Sequence, residues 1–227
     1  MLEHVFERAS RARYLTHVVV ATDDERIAEE ARRFGAPVRM TRADHASGTD
    51  RVAEVASADS AEIVVNIQGD EPLIDPGAID AATLALLDDP DPDVSMATLM
   101  KRIEDPAELA DPNVVKVVTD RAGYALYFSR AAIPYARDGG PAATTYKHIG
   151  LYVYRRDFLL AYSGLPAGPL ERAERLEQLR ALENGHKIRV VETEYESLGV
   201  DTPADLERVA RLFDGRMEAS AILKRDG

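Results

Sequence analysis

Two aspartates lie at the end of a predicted strand and at the start of a predicted helix, where a carboxylate could bind a metal ion. Asp70 follows Gln68 and Gly69, directly behind the apolar run 63–67, and Asp201 lies in GVDTP at the mouth of a predicted helix. Gly69 lets the backbone approach a ligand, and carboxylate oxygens are ligands that Mg²⁺ prefers. If both carboxylates reach one ion, they would bracket a triphosphate. Taken singly, each is an ordinary turn or helix-cap acid.

The first part of the chain alternates predicted strands and helices, which indicates the fold class. The strands are HVVVAT, PVRM, 63–67 and DVSMATLM, and helical patterns lie between them. Such alternation predicts an α/β fold with a Rossmann-like, mostly parallel sheet covered by helices on both faces. Ligands of such sheets bind beyond the carboxyl ends of the strands, which is where Asp70 would lie.

The second half has a different pattern. NVVKVVTD, GYALYFSR and YKHIGLYVYR predict a small antiparallel region over about 113–154, which we expect to form a homodimer surface. LERAERLEQLRALENG predicts one helix, with Glu174 and Gln178 on the same side because they are four residues apart. We expect a single α/β domain over 1–213 and a poorly ordered tail over 214–227.

Composition excludes several classes of protein. The 227 residues carry a formal net charge of −12 and are 45% hydrophobic, which fits a soluble globular protein. A basic patch is absent, so we expect no nucleic-acid partner. No apolar run approaches membrane-spanning length, so we expect no membrane partner. The chain has no cysteine, which excludes disulfides and thiolate sites and is compatible with the cytoplasm.

Six sequence blocks, in order, resemble the family of 3-deoxy-manno-octulosonate cytidylyltransferases, also called CMP-Kdo synthetases. They are MTRADHASGTDRVAEV, VVNIQGDEPLID, YALYFSRAAIPYARD, KHIGLYVYR, PLERAERLEQLRALENGHKI and GVDTPADLERV, and they cover about 40–210. The resemblance implies a cytoplasmic enzyme that transfers CMP from CTP to the sugar acid Kdo and releases pyrophosphate. The product would serve lipopolysaccharide biosynthesis, and the cofactor would be Mg²⁺.

The resemblance also implies which residues handle the nucleotide and the metal. The catalytic residues would be Asp70, Asp201 and Gln68: the two aspartates as magnesium ligands and the glutamine beside the sugar hydroxyls. The nucleotide-facing loop would contain Ser47, Gly48 and Thr49. A run of small residues before a helix often only caps it, and both interpretations can hold together because helix N-termini also bind anions.

The implied Kdo site lies in the second half of the chain. Arg130 and Arg137 would face the sugar carboxylate, because an arginine fork binds a carboxylate through two parallel hydrogen bonds. The other sugar contacts would be Gln68, His148, Tyr152, Glu174 and Gln178. Without the resemblance, His148 and Tyr152 would be neighbours on one face of a strand, and the last two residues would lie on a solvated helix face.

The start of the sequence differs from the family pattern. The family begins with a strand and a loop of the type PARYxSTRLPGKPL, whereas MLEHVFERAS matches the helix after that loop. We therefore expect a gap in the sheet and an incomplete CTP site, with Arg42 and Arg51 as the remaining cation candidates. Two alternatives stay open: a non-catalytic homologue that folds or binds sugar without turnover, and a cytidylyltransferase for another acidic sugar such as a sialic acid.

Overall fold

The framework of the molecule is a set of β-strands flanked by helices. The structure is a computed structural model that describes residues 1–45, 47–137, 144–200 and 202–223, without the side chains of 214–223. The strands are β1 Val20–Thr22, β2 Val38–Met40, β3 Ile63–Asn66, β4 Val94–Arg102, β5 Lys116–Thr119, β6 Ala125–Ser129, β7 Tyr146–Arg155 and β8 Lys187–Glu192. The helices are α1 Leu2–Ala9, α2 Glu25–Arg33, α3 Gly48–Ser57, α4 Pro76–Leu87, α5 Pro106–Ala110, α6 Arg156–Tyr162, α7 Pro169–Glu174, α8 Gln178–Glu183 and α9 Pro203–Leu223. None of the helices in these ranges is both long and apolar enough to cross a bilayer.

The larger sheet is built around β7. Its strand order is β6–β5–β7–β4–β8, and β3 also pairs with β7. Strands β3, β4 and β5 are each antiparallel to β7, and β8 is parallel to β4, so four strands share one direction. The predicted α/β class with a mostly parallel sheet is confirmed, and the antiparallel strand β7 lies in the middle of the sheet.

Helices cover both faces of this sheet, because side chains alternate along β7. Ile149, Leu151 and Val153 pack with α4 in one apolar cluster, whereas Tyr152 and Tyr154 face the opposite cluster, which includes residues of α3, α6 and α8. Successive strand residues point to opposite faces, so one strand contributes to both halves of the core.

Strands β1 and β2 form a separate two-stranded parallel sheet. Its small core consists of Val20, Ala31 and Ala36, with Leu2 and Phe6 of α1 packed against it. Within the described residues, no ladder of hydrogen bonds joins β1 to β3.

The prediction of one long helix over LERAERLEQLRALENG is wrong. Helix α7 ends at Glu174, because Arg175 adopts the left-handed conformation with φ 54° and ψ 51°, and α8 begins at Gln178. A left-handed non-glycine residue costs about 1–2 kcal/mol, and burial of Leu176 in the core helps to offset that cost. Glu174 and Gln178 therefore do not share one helical face.

Other boundaries differ less from prediction. Strand β7 matches the predicted run YKHIGLYVYR, whereas α5 and α6 were not predicted. Helix α9 spans Pro203–Leu223, and the poor order expected over 214–227 stays a prediction. The single-domain assignment over 1–213 stays a prediction.

An irregularity in the β4–β7 ladder places His148 against Thr98. At this point Gly150 and Leu151 have no partners on β4. The Thr98 hydroxyl lies 2.8 Å from the Leu151 carbonyl oxygen and 2.8 Å from His148 Nε2. The Thr98 hydroxyl has one proton, which it donates to the carbonyl oxygen. It can therefore only accept a hydrogen bond from His148, and the Nε2–H group of that residue is the donor. The imidazole is thus held inside the sheet in a neutral form.

This arrangement predicts a pH dependence of stability. Burial lowers the pKa of His148 to about 3, whereas an unfolded histidine titrates near pH 6.5. Below about pH 6.5 the unfolded chain binds a proton that the folded protein does not. The free energy of unfolding should therefore fall with decreasing pH, by at most ~1.4 kcal/mol per pH unit from this residue.

Urea unfolding between about pH 5 and 8 checks this expectation. His148→Gln should be less stable than the parent near pH 8 but should show a shallower decrease below pH 6.5. His17→Gln, at an exposed histidine that contacts Asp59, is measured in parallel for comparison. Parallel curves for His148→Gln and the parent would contradict the assignment.

Candidate active site

A cleft of about 290 Å³ lies at the carboxyl end of β3. Its lining residues come from the α3 start, the β3 end, β7 and the turn before α8: Gly48, Thr49, Asn66, Gln68, Tyr152, Arg175, Leu176, Glu177 and Gln178. Five of these are residues that the sequence singles out, and they are separated by up to about 130 positions. The position agrees with the rule that open α/β sheets bind ligands beyond their strand ends.

Gln178 brings an unsatisfied hydrogen-bond donor to this cleft. The residue is only 3% exposed, and its Oε1 accepts a hydrogen bond from the Tyr152 hydroxyl at 3.1 Å. Its Nε2 is buried and has no partner within the described residues. A buried donor left unpaired costs about 1–3 kcal/mol. A ligand oxygen that accepts this N–H bond would remove that cost, so the cleft favours a polar ligand.

Tyr152 is the strand residue that orients Gln178. Burial raises the pKa of its phenol, so the hydroxyl keeps the proton that it donates to the amide. The His148 ring lies 5.4 Å from the Tyr152 ring, but His148 does not line the cleft. The structure thus places His148 behind Tyr152, where it supports the aromatic ring.

The start of α3 forms the opposite wall. Ser47 is the helix N-cap, and its hydroxyl accepts the backbone N–H of Asp50 at 3.2 Å. Gly48 leaves open space where a Cβ would lie, and the Thr49 hydroxyl donates to Glu177 Oε2 at 2.9 Å. The helix-cap interpretation of Ser47 is therefore correct, and the next two residues also line the cleft.

Asp70 lies just beyond β3, next to Gln68. Its side chain is half-buried and makes no hydrogen bond with the described residues, while its carbonyl oxygen accepts from Val200 N–H at 3.0 Å. Asp201, the second predicted metal ligand, lies outside the described residues. No group of three His, Cys, Asp or Glu side chains in the described part of the chain could hold a metal.

This donor set fits magnesium better than a transition metal. A hard cation at Asp70 would take an oxygen ligand from the protein and further oxygens from water and phosphate, which is how Mg²⁺ commonly binds beside nucleotides. A tetrahedral zinc centre would need three or four clustered ligands, and the described residues provide none.

The neighbouring acid, Glu71, is held firmly. Its carboxylate accepts hydrogen bonds from the Tyr195 hydroxyl at 3.0 Å and the Ser197 hydroxyl at 2.8 Å. Burial raises the pKa of Glu71, and the two hydroxyl donors partly oppose that rise. The sequence does not predict this contact, because no local pattern links residue 71 to residues 195 and 197.

The residues implied for the Kdo carboxylate lie outside the cleft. Arg130 donates from Nε to the Glu174 carbonyl oxygen at 2.8 Å and from Nη1 to the Pro112 carbonyl oxygen at 2.9 Å. The Glu174 carboxylate accepts from the Ser129 hydroxyl at 2.7 Å and the Arg130 backbone N–H at 2.9 Å. Glu174 therefore ties β6 to the end of α7. Arg137 is exposed, beside the undescribed residues 138–143.

The two cation candidates near the nucleotide loop are paired with acids. Arg51 lies 3.0 Å from Asp23, and Arg42 lies 3.3 Å from Asp44. Neither of them lines the cleft. Their positive charge is directed in part to the protein's own carboxylates.

A larger cleft of about 760 Å³ lies at the other end of the sheet, where β4 and β8 begin. Its arginines already bind backbone oxygens: Arg155 Nε donates to Val94 and Arg156 Nε donates to Ala56, each at 2.9 Å. Its walls contain no buried unpaired donor within the described residues. Chemistry and position therefore favour the smaller cleft.

Several lining residues are absent from the sequence prediction. Asn66 is buried, and its Oδ1 accepts from Gln68 Nε2 at 3.4 Å. The alternation of Asn66 and Gln68 at the end of a strand is a signal that could have identified the asparagine. Residues 175–177 gave no signal, because their sequence has the pattern of a helix interior.

Similarity to known proteins agrees with this geometry. A family model described as cytidylyltransferase matches residues 1–188. The 3-deoxy-manno-octulosonate cytidylyltransferase of Solibacter usitatus (strain Ellin6076) is 72% identical over 213 residues, which cover 94% of this chain and 84% of that protein. The enzyme of the same name from Geobacter sulfurreducens is 57% identical over 219 residues, which cover 92% and 87%.

A solved structure of CMP:2-keto-3-deoxy-manno-octonic acid synthetase, complexed with CTP, has a similar fold. Its TM-score is 0.89 and its sequence identity is 45%, with 95% of this chain and 88% of that chain covered. Identity and coverage at these levels extend well beyond a shared fold. The chain therefore belongs to the 3-deoxy-manno-octulosonate cytidylyltransferase family.

Proposed function

We propose that this protein transfers CMP from CTP to 3-deoxy-D-manno-octulosonate (Kdo) and releases pyrophosphate, for lipopolysaccharide biosynthesis. The observation that carries the proposal is the buried, unpaired Nε2 of Gln178 in the cleft at the end of β3. The activity named for the relatives and the CTP complex of the structural neighbour support the choice of substrates.

The reaction requires positioning more than covalent chemistry by the protein. A Kdo hydroxyl oxygen forms a bond to the α-phosphorus of CTP and releases its proton to solvent, and the bond from that phosphorus to the bridging oxygen breaks, so pyrophosphate leaves with the electron pair. No protein nucleophile is needed. The residues of the site must hold two anionic substrates in line and offset their charge.

Asp70 and Asp201 are the proposed ligands of Mg²⁺, and Gln68 lies next to the first of them. Bound Mg²⁺ supplies positive charge that stabilises the phosphoryl oxygens. The carboxylate of Asp70 suits this role because it has no hydrogen bond to the described residues. Ser47, Gly48 and Thr49 are proposed to face the nucleotide, with the helix N-terminus offering backbone donors.

The proposed sugar contacts divide into direct and indirect ones. Gln178 Nε2 and Gln68 lie in the cleft and would donate to sugar hydroxyls. Tyr152 and His148 would act by orienting Gln178. Arg130 and Arg137 are the proposed partners of the sugar carboxylate, and Arg130 also donates to two backbone oxygens. Glu174 would act through Arg130, whose backbone N–H it accepts.

Two further parts of the proposal concern location and assembly. A cytoplasmic location, implied by the family resemblance, stays a prediction. We also propose a homodimer through the edge strand β6 and the segment after it. Leu126 on that edge is 62% exposed and Tyr135 is 87% exposed, and a second copy would cover such apolar side chains.

The metal assignment predicts a large effect at Asp70. Asp70→Asn should lower Mg²⁺-dependent pyrophosphate release about 100-fold, which corresponds to ~3 kcal/mol of transition-state stabilisation. Asp75→Asn is the matched control, because Asp75 precedes α4 but makes no side-chain capping bond, and it should retain parental turnover. Near-parental turnover of Asp70→Asn would refute the assignment.

The assignment of Gln178 to the sugar site predicts that its substitution changes the affinity for Kdo but not the stability of the fold. Gln178→Leu should raise the KM for Kdo about 10- to 100-fold, equivalent to ~1–3 kcal/mol, with little change in the KM for CTP. Its free energy of unfolding should change little, because removal of the unpaired amide offsets the loss of an acceptor for the Tyr152 hydroxyl. A purely structural glutamine would give the reverse result: lower stability and an unchanged KM.

The same assay tests the choice of sugar. Pyrophosphate release is measured with Kdo and with a sialic acid, each at several concentrations. Turnover with Kdo alone is the expected result. Release only with the sialic acid would assign the chain to a different substrate, and release with neither sugar would favour the non-catalytic alternative.

The dimer proposal predicts that a charged substitution on β6 changes the oligomeric state. Leu126→Glu should shift sedimentation from dimer to monomer, because a buried unpaired carboxylate disfavours the interface. Leu160→Glu, on the exposed face of α6, should leave sedimentation unchanged. A monomeric parent protein at micromolar concentration would overturn the proposal.

A further inference from the structure

We propose that Glu71 is a positioning residue for the transfer reaction. It holds the segment 195–200 against the loop that carries Asp70, and so fixes the backbone from which the metal-binding carboxylate extends. This inference rests on the proposed magnesium role of Asp70. It assigns a function to an acid that lies next to the site but does not line the cleft.

The first observation is the pair of hydrogen bonds that Glu71 accepts. Its carboxylate is 9% exposed and takes one hydroxyl on each oxygen: Tyr195 at 3.0 Å on Oε2 and Ser197 at 2.8 Å on Oε1. A buried carboxylate is unfavourable unless hydrogen bonds compensate its lost hydration. The two contacts therefore stabilise one another's geometry, and they join parts of the chain separated by more than about 120 residues.

A second contact closes the connection next to the metal-binding residue. The backbone N–H of Val200 donates to the carbonyl oxygen of Asp70 at 3.0 Å. Asp70 and Glu71 are adjacent, so the loop after β3 binds the segment 195–200 in two ways: through the Glu71 side chain and through the Asp70 backbone. These contacts hold the backbone from which the Asp70 side chain extends.

The segment itself depends on such contacts. Residues 193–200 form no helix or strand, so individual backbone hydrogen bonds and side-chain contacts hold them in place. Glu196, between the two residues that bind Glu71, points the other way and contacts Lys147 at 2.6 Å and Lys101 at 3.2 Å. Alternate side chains thus anchor the segment on two sides, and Glu71 provides the anchor on the side of the active site.

Small displacements of Asp70 are expected to weaken metal binding. A metal site works only when its ligands are held within about 0.5 Å of the productive geometry. Loss of the partners behind a metal ligand typically lowers metal affinity 10- to 100-fold. Removing the hydroxyls that bind Glu71 should therefore weaken metal binding without touching the metal ligand itself.

The test keeps Asp70 and Glu71 and removes the two donors. The double variant Tyr195→Phe, Ser197→Ala is compared with the parent by titration with Mn²⁺, followed by water-proton relaxation in the absence of nucleotide and sugar. We expect the dissociation constant for Mn²⁺ to rise about tenfold. The Mg²⁺ concentration for half-maximal pyrophosphate release should rise in parallel, while the KM for Kdo stays unchanged.

A matched control separates this effect from general loss of stability. Tyr124→Phe also removes a tyrosine hydroxyl from a carboxylate, since Tyr124 donates to Asp89 at 2.9 Å, but neither residue lines the active-site cleft. Its Mn²⁺ affinity should equal that of the parent. If the double variant does not fold, the single variant Ser197→Ala decides, with an expected severalfold loss of affinity.

Asp70→Asn in the same Mn²⁺ titration distinguishes the proposed magnesium role of Asp70 from the proposed positioning role of Glu71. Parental Mn²⁺ binding by Asp70→Asn would overturn the magnesium assignment, and the inference with it. Weakened binding by Asp70→Asn together with parental binding by the double variant would overturn the role of Glu71 alone. Weakened binding by both, with Tyr124→Phe unaffected, supports the inference.

Discussion

The hydrogen bonding of β7 on both edges is the constraint on which the rest of the structure depends. One edge pairs with β4, and the other pairs with β3 at one end and β5 at the other. A strand held on both edges cannot shift its register without turning every side chain to the wrong face. It therefore fixes both apolar clusters, the place of Tyr152 beside Gln178, and the strand end from which Asp70 continues.

Sequence patterns predicted the elements that have strong periodicity and failed where tertiary contacts decide. The run YKHIGLYVYR alternates so regularly that its bounds match β7. The leucine spacing in LERAERLEQLRALENG is equally regular, yet the helix ends before the left-handed Arg175, and Leu176 and Leu179 after it are both buried in the core. Helix periodicity cannot report such a break, since each half keeps its own apolar face.

The same distinction applies to the site. Residues with an unusual local setting, such as Gln68 after a buried strand, could be identified from their neighbours in the sequence. Gln178 was predicted from family resemblance, and the structure shows that its amide is buried with one donor unpaired within the described residues. Glu71 has no such signal, because its importance comes from two hydroxyls that are far away in the chain.

The left-handed turn at Arg175 has a consequence for how this fold can evolve. Three cleft-lining residues, 175–177, lie on a connection between short helices, whereas the loop that carries Asp70 follows a strand of the larger sheet. Exchanges of the exposed side chains at 175 and 177 can alter the shape and charge of the cleft wall without disturbing a strand ladder. The shape of the cleft can therefore change in small steps while the sheet stays intact.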